Sequence, residues 1–269
     1  MTREIDGWEG LLSDQRGPTD PPELDMLVDP SSETGSHAFK ARSTDGTHWY
    51  VKVVDSPRSR APATDLIVSS VAQLIGAPVP LCSVVEIPPE LEGEAYAPGR
   101  TLTRGLAFGS REVVDTFDGR KPLQYRGRDD NRRRQAGMFA LYDWCWGQDV
   151  QWLYSAGEDL STHSIDHAFY LPRSPEWSAS DLRSCVDEPH AAPWPCDGLS
   201  PAALENLADT LETLTREALS ETLRQVPAQW PVSTADLETV GWFLDRRRQP
   251  VAERLRRIAM ITPEGGAAS

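Results

Sequence analysis

Apolar residues dominate two stretches of the chain, 38–42 and 48–54, which read as strands, and the polar Ser43-Thr44-Asp45-Gly46-Thr47 lies between them. Asp-Gly is favoured in tight hairpin turns because it tolerates a left-handed backbone. The two stretches are therefore predicted as an antiparallel hairpin. Over 63–75 the period changes: Leu66, Ile67, Val71, Leu74 and Ile75 recur at helical spacing, Asp65 sits in the first turn, and Gly76 with Pro78 stops the helix. Residues 81–87 are β-branched and apolar enough for a strand, which Pro88-Pro89 ends. A glycine-rich stretch, 105–109, separates this part from a predominantly helical half. There a helix over 129–146 places Met138, Leu141, Tyr142 and Cys145 on one stripe, and strands follow around 151–154 and 163–170. Further helices are predicted at 201–224, opened by Ser200-Pro201 as cap and first turn, and at 233–247 and 250–260. Residues 1–30, rich in Pro, Asp and Gly around Leu11-Leu12, read as a loosely ordered lead-in, and 265–269 are expected to fray.

With 269 residues, 39% of them hydrophobic, and nine tryptophans, the chain can bury the core of one large domain or of two lobes around a cleft. A formal charge of −14 opposes general affinity for nucleic acid, which demands a basic face. The one dense basic patch, arginines 126, 128, 132, 133 and 134, reads either as a solvated helix start or as a phosphate contact. No apolar run approaches the roughly 18 residues of a membrane helix, and no secretory pattern opens the sequence. A cytoplasmic protein with no membrane or nucleic-acid partner is expected. Cys82, Cys145, Cys185 and Cys196 form no CxxC pair, so reduced thiols are expected; Cys185, His190 and Cys196 are too loosely spaced to assign a structural metal.

Three charged residues then stand out. Lys52 lies in Trp49-Tyr50-Val51-Lys52-Val53-Val54, where an unpaired ammonium would be costly to bury, and it is one of three lysines among 27 basic residues. Asp149 lies in Gly147-Gln148-Asp149-Val150-Gln151-Trp152, and Asp166, seventeen positions on, lies in Ser164-Ile165-Asp166-His167. Two carboxylates in mostly apolar surroundings suggest a base and a metal ligand. Phosphoryl transfer needs a lysine for the nucleotide phosphates, an aspartate to orient the acceptor hydroxyl, and oxygen ligands for Mg²⁺. Lysine, aspartate, aspartate is the order of a kinase-like phosphotransferase. No G-x-G-x-x-G loop is present, and Gly35 and Ser36 are taken from position alone as phosphate-loop residues. Trp144, Trp146 and Trp152 read as core, with Trp152 placed to shape an acceptor pocket.

Over roughly 35–172 these residues resemble the HipA-like kinases, which belong with the phosphatidylinositol-3/4-kinase-like branch of the protein-kinase fold. Val51-Lys52 is similar to the family's nucleotide-binding lysine strand. Asp65 with Leu74-Ile75-Gly76-Ala77-Pro78-Val79-Pro80 resembles its acidic helix and exit. Phe108-Gly109-Ser110-Arg111 resembles a segment of actinobacterial members. Ala140-Leu141-Tyr142-Asp143-Trp144 with Gly147 and Asp149 resembles the catalytic helix and loop, and Ile165-Asp166-His167 the metal-binding strand. Aspartate 65 stands where glutamate is usual. Tyr154 stands where a metal-binding asparagine is expected, which leaves Gln151 as its substitute. The resemblance implies an α+β, two-lobed protein-kinase-like fold, with a small β-rich N-lobe at about 31–100 and a mostly helical C-lobe at about 101–260. It implies ATP and Mg²⁺ as cofactors, with Lys52 and Asp149 catalytic, Lys52, Asp65, Gly35 and Ser36 on the nucleotide, and Asp166 and Gln151 on the metal. The acceptor would be a hydroxyl of a protein or small molecule. The rival expectation is a pseudokinase-like nucleotide-binding or scaffold module. A hydrolase built on His163 or His167 lacks a Gly-x-Ser-x-Gly elbow.

Overall fold

A computed structural model of the chain describes residues 5–31, 37–119 and 123–262. Strand β1 (Leu24–Asp29) opens the architecture, and β2 (Phe39–Ser43) and β3 (His48–Lys52) form the predicted hairpin. Its turn is fixed as expected: Asp45 accepts from the Thr47 N–H at 2.9 Å and the Ser43 hydroxyl at 2.6 Å, while Gly46 takes φ 84°. Helix α1 (Ala61–Leu74) follows, then β4 (Cys82–Ile87), a small pair β5 (Ala95–Ala97) and β6 (Arg100–Thr101), and β7 (Gly105–Arg111).

The first sheet runs β1-β2-β3-β7-β4 with antiparallel neighbours. A parallel bridge between Glu23 and Glu86 brings its two edges together, so the sheet curls into a nearly closed barrel. Inside lies a core of its own, including Leu24, Phe39, Trp49, Val51, Val85, Ile87 and Tyr96. The glycine-rich stretch at 105–109 is thus a central strand. Glycine is needed at 109 because a Cβ there would meet Val85 Cγ1 at 2.7 Å and Trp49 Cε3 at 3.1 Å. The sheet also draws in strands on both sides of residues 31–100. On its outer face Lys52, Phe108 and Val84 share one cross-strand row. Phe108 and Val84 pack with Leu66, Ile67 and Val71 of α1 in the main core. Burying each such side chain contributes about 1.5–3 kcal/mol, and it holds α1 against the face that carries Lys52.

Strand β8 (Thr116–Asp118) and helix α2 (Asn131–Trp144) lead to β9 (Gln151–Ser155) and β10 (Ser161–Ile165), and β10-β9-β8 make a second antiparallel sheet. The rest is helical: α3 (Ala179–Cys185), α4 (Pro201–Thr213), α5 (Arg216–Arg224) and α6 (Thr234–Ile261). Ser200 caps α4 as expected, but the helix expected to run to 224 breaks at Leu214, and the Thr215 hydroxyl accepts from the Ala218 N–H to start α5. The break expected before Pro250 is absent, and α6 runs straight through it. An interior proline costs about 3 kcal/mol, and burial of Phe243, Leu244, Val251, Ala252 and Leu255 on both sides of it offsets that cost. Among the described residues no helix is long and apolar enough to cross a membrane.

The described part of the lead-in, expected to be loosely ordered, is instead docked through Trp8, Leu12 and Arg16. Trp8 is fully buried against α6, where a Cβ at Gly241 would come within 2.1 Å of its ring, and its indole N–H donates to Asp245 at 3.1 Å. The Leu12 N–H reaches Glu238 at 3.1 Å, and the Arg16 guanidinium holds the carbonyls of Val226 and Val232, both at 3.0 Å. Local composition predicts disorder only where no distant apolar partner exists, and here α6 supplies one. Trp8→Ala is expected to lower the free energy of unfolding by about 3–5 kcal/mol, the range for a buried aromatic cut to alanine. Chemical denaturation checks this, and an unchanged midpoint would mean that the segment does not dock in solution.

Candidate active site

The last residue of β3 presents Lys52, which is 9% exposed. Its ammonium donates to Asp65 Oδ2 at 2.9 Å and to Asp166 Oδ1 at 2.7 Å. The shorter aspartate at 65 therefore reaches the lysine without a bridging water, because α1 lies directly on the lysine's face of the sheet. One base serves two acids. Burial alone would lower the Lys52 pKa, but the two carboxylates outweigh it and the net shift is upward. Burial pushes the Asp65 carboxyl up against the pull of Lys52, with the Asp166 charge adding to the rise. The two shifts pull the pair's ionisation in opposite directions, and the stoichiometry decides: with two carboxylates on it, Lys52 is the charged member. An ammonium has three N–H donors, and two are engaged here.

Asp65 is fully used. Its second oxygen accepts the backbone N–H of His167 at 2.7 Å, which ties α1 to the turn after β10. Asp166, just before that N–H, has φ 54°, a left-handed conformation that aspartate tolerates better than most residues. The His167 ring completes the tie, with Nδ1 3.0 Å from the Ser69 hydroxyl of α1 and Nε2 3.0 Å from the Ser164 hydroxyl of β10. Burial pushes its pKa down to about 3, so the ring is neutral, and the serines match whichever nitrogen carries the proton. Asp65 and Ser69, one helical turn apart, thus grip the Asp166 turn from one side.

Asp149 and Gln151 sit at the facing end of the second sheet. In the β9–β10 register Gln151 pairs with Ile165, so Asp149 and Asp166 flank the same end of one hairpin. The Gln151 amide approaches Asp149 Oδ2 at 3.4 Å, a weak and exposed contact. Burial raises the Tyr142 pKa, and the Asp149 charge adds to that rise. Beside it opens a cavity of about 250 Å³ lined by Asp118, Gly119, Val150, Gln151, Trp152 and Ile165. Tyr154 is buried and accepts from the Gln124 N–H at 2.8 Å, so its side chain is committed away from any metal. Gly35 and Ser36 lie outside the described residues.

The residues present fit a hard cation in their chemistry. Asp166 offers a partly exposed carboxylate and Gln151 an exposed amide oxygen. Among the described residues no group of three His, Cys, Asp or Glu would hold a metal by itself. A Mg²⁺ here would draw on substrate phosphates and water to complete six oxygens, as this ion commonly does.

Behind the loop stands an ionic cluster with no clear signal in the sequence. Asp143, at the end of α2, accepts from Arg254 at 2.6 and 2.7 Å and from Arg247 at 3.2 Å. Arg247, 1% exposed, also holds the carbonyls of Asp143, Trp144 and Glu188 at 2.6, 3.1 and 2.7 Å. Burial pushes its pKa down to about 10, which still leaves it charged near neutrality. In the sequence it is the middle of Arg246-Arg247-Arg248, and such a run of arginines ordinarily reads as a solvated face. The arginines at 126–134 are engaged locally: Arg128 with Asp159 at 2.5 Å, Arg134 with Asp129 at 2.8 Å, Arg133 with Asp130, and Arg126 and Arg132 with the carbonyls of Pro195 and Gly198.

Comparison with known proteins bears on the fold and on the family. No curated protein matches the chain in sequence. The Helicobacter pylori proinflammatory kinase CtkA superposes with a TM-score of 0.56 at 9% identity, over 90% of this chain and 98% of that one, a likeness of fold. The Golgi casein kinase with Mn/ADP bound gives a TM-score of 0.41 at 12% identity, over 95% of this chain and 77% of that one. The β-rich front and helical back are the α+β, kinase-like arrangement expected from the sequence. Residues 25–149, from β1 to Asp149, match the family model described as HipA-like kinase.

Proposed function

We propose that the protein is an ATP- and Mg²⁺-dependent phosphotransferase that moves the γ-phosphoryl group to a hydroxyl of a protein or small molecule. The observation that carries this is the buried Lys52 ammonium shared between Asp65 and Asp166. A structural ion pair needs one acid. A second one, partly exposed and on a different element, fits a lysine that must also face a charged ligand.

In this reading Lys52 directs its remaining donor to phosphate oxygens, and Asp65 keeps the ammonium in place and charged. Asp166 and Gln151 hold Mg²⁺, which supplies neutralisation of phosphate charge when bound. Asp149 accepts a hydrogen bond from the acceptor hydroxyl and orients it toward the phosphoryl group. The cavity lined by Gln151 and Trp152 admits the acceptor from the side of β8. The second reading is a nucleotide-binding module without turnover. Its motivation is that Tyr154 is committed to the core, so the second metal contact rests on an exposed glutamine alone.

Two measurements test these roles. With ATP and Mg²⁺ at about 100-fold over Kd the folded protein gains about 2.7 kcal/mol, a rise of several degrees in Tm for a domain of this size. Lys52→Ala and Asp166→Asn are expected to abolish that rise, and its persistence in either would remove the residue from the site. Asp149→Ala is expected to keep the thermal shift and lose at least about 100-fold of phosphoryl transfer, measured as Mg-dependent ADP release. Equal loss of binding and turnover would count against Asp149 as the orienting residue, and a wild-type shift without turnover would favour the binding module.

A further inference from the structure

His190 lies in the segment between α3 and α4, far along the chain from the residues just described, yet its ring sits behind the Asp149 loop. It stacks on Trp146 with centroids 4.4 Å apart and planes 19° apart, and on Tyr142 at 4.8 Å and 18°. Near-parallel contacts with two rings hold the imidazole in one plane. Its Nε2 lies 2.5 Å from the carbonyl oxygen of Gly147, two residues before Asp149. A carbonyl only accepts, so Nε2 carries the proton and donates.

The loop it touches has little freedom to take this shape unaided. Trp146 has φ 58°, a left-handed conformation that a bulky residue adopts only when its surroundings impose it. Gly147 follows where no side chain fits: a Cβ would come within 2.5 Å of Tyr142 Cδ2 and 2.9 Å of Tyr170 Cε1. The next residue, Gln148, is held by its N–H on the Phe169 carbonyl at 2.9 Å and its amide on the Leu171 carbonyl at 2.6 Å. His190 joins the strained residue, by stacking, to the carbonyl of the glycine that follows it, by hydrogen bond. Arg247 lies over the same Trp146 ring at 4.9 Å and anchors it to α6.

We infer that His190 is a positioning residue for the Asp149 loop, setting the direction in which the Asp149 carboxylate meets the acceptor hydroxyl. This rests on the reading of Asp149 given above. His190 touches neither nucleotide-side residue, Lys52 or Asp65, so its removal acts on the orientation of the acceptor and leaves the nucleotide contacts in place.

The test uses the full chain with His190→Ala and His190→Phe, the second of which keeps an aromatic stack and loses the donor. ADP release is followed against Mg-ATP concentration, and backbone hydrogen exchange is followed across 147–150. His190→Ala is expected to lower kcat about 10- to 100-fold, the scale of a misplacement of roughly 1 Å, with KM for ATP unchanged within about twofold. Exchange at Gln148 should quicken about tenfold while β9 and β10 keep their wild-type rates. His190→Phe should fall between the two in both readouts, and it carries the test if the alanine variant does not fold. Wild-type kcat in a folded variant, or a loss of kcat matched by a rise in KM, would overturn the inference. If the wild-type protein turns over no ATP, the phosphotransferase reading falls, and exchange at Gln148 alone decides whether His190 sets the loop.

Discussion

One ammonium taken out of water organises the front of the molecule. Removing Lys52 from solvent would be prohibitive without compensation, and the two carboxylates that compensate it come from α1 and from the turn after β10, 13 and 114 positions away in sequence. Each must approach within hydrogen-bond distance, which fixes how α1 lies on the barrel and where the second sheet ends. The Asp65 contact with the His167 backbone then makes the arrangement a closed circuit: sheet to lysine, lysine to helix, helix to turn, turn back to lysine. Displacing any one of these elements leaves a buried charge or N–H without its partner.

A second ionic cluster, Asp143 with Arg247 and Arg254, plays a different part at the far end of α2. It fastens α2 to α6 and brings a guanidinium to the Trp146 ring. The Asp149 loop therefore lies between two charged groupings, and each has a buried centre, Lys52 with Asp65 in one and Arg247 with Asp143 in the other, and one partly exposed partner, Asp166 and Arg254.

What was legible in the sequence follows the range of the interactions concerned. The β2–β3 hairpin announces itself through Asp45-Gly46, α1 through its apolar period, and Lys52 through the anomaly of a lysine in an apolar strand, all signals contained within a dozen residues. The order Lys52, Asp65, Asp149, Asp166 added a resemblance that the family match supports as far as residue 149. What failed depended on distant partners. Glycines at 105–109 look like a connection until Trp49 and Val85 are seen to fill the space beside Gly109. Pro250 looks like a stop until the packing on both sides of it is known. His190 and Arg247 carry no local mark, because what distinguishes them is two stacked rings and a set of carbonyls contributed from elsewhere.

The docking of Trp8 on α6 also bears on how the protein is made. Trp8 and Asp245 bond across 237 positions, so during synthesis the early segment leaves the ribosome long before its binding surface exists. Until α6 has emerged, an indole and its apolar neighbours Ile5 and Leu12 stay exposed on the nascent chain, where they are open to wrong contacts. The barrel, whose strands all lie between residue 24 and residue 111, has no such wait. Assembly is therefore expected to be staged, with the first sheet formed during translation and the helical half sealed only after it.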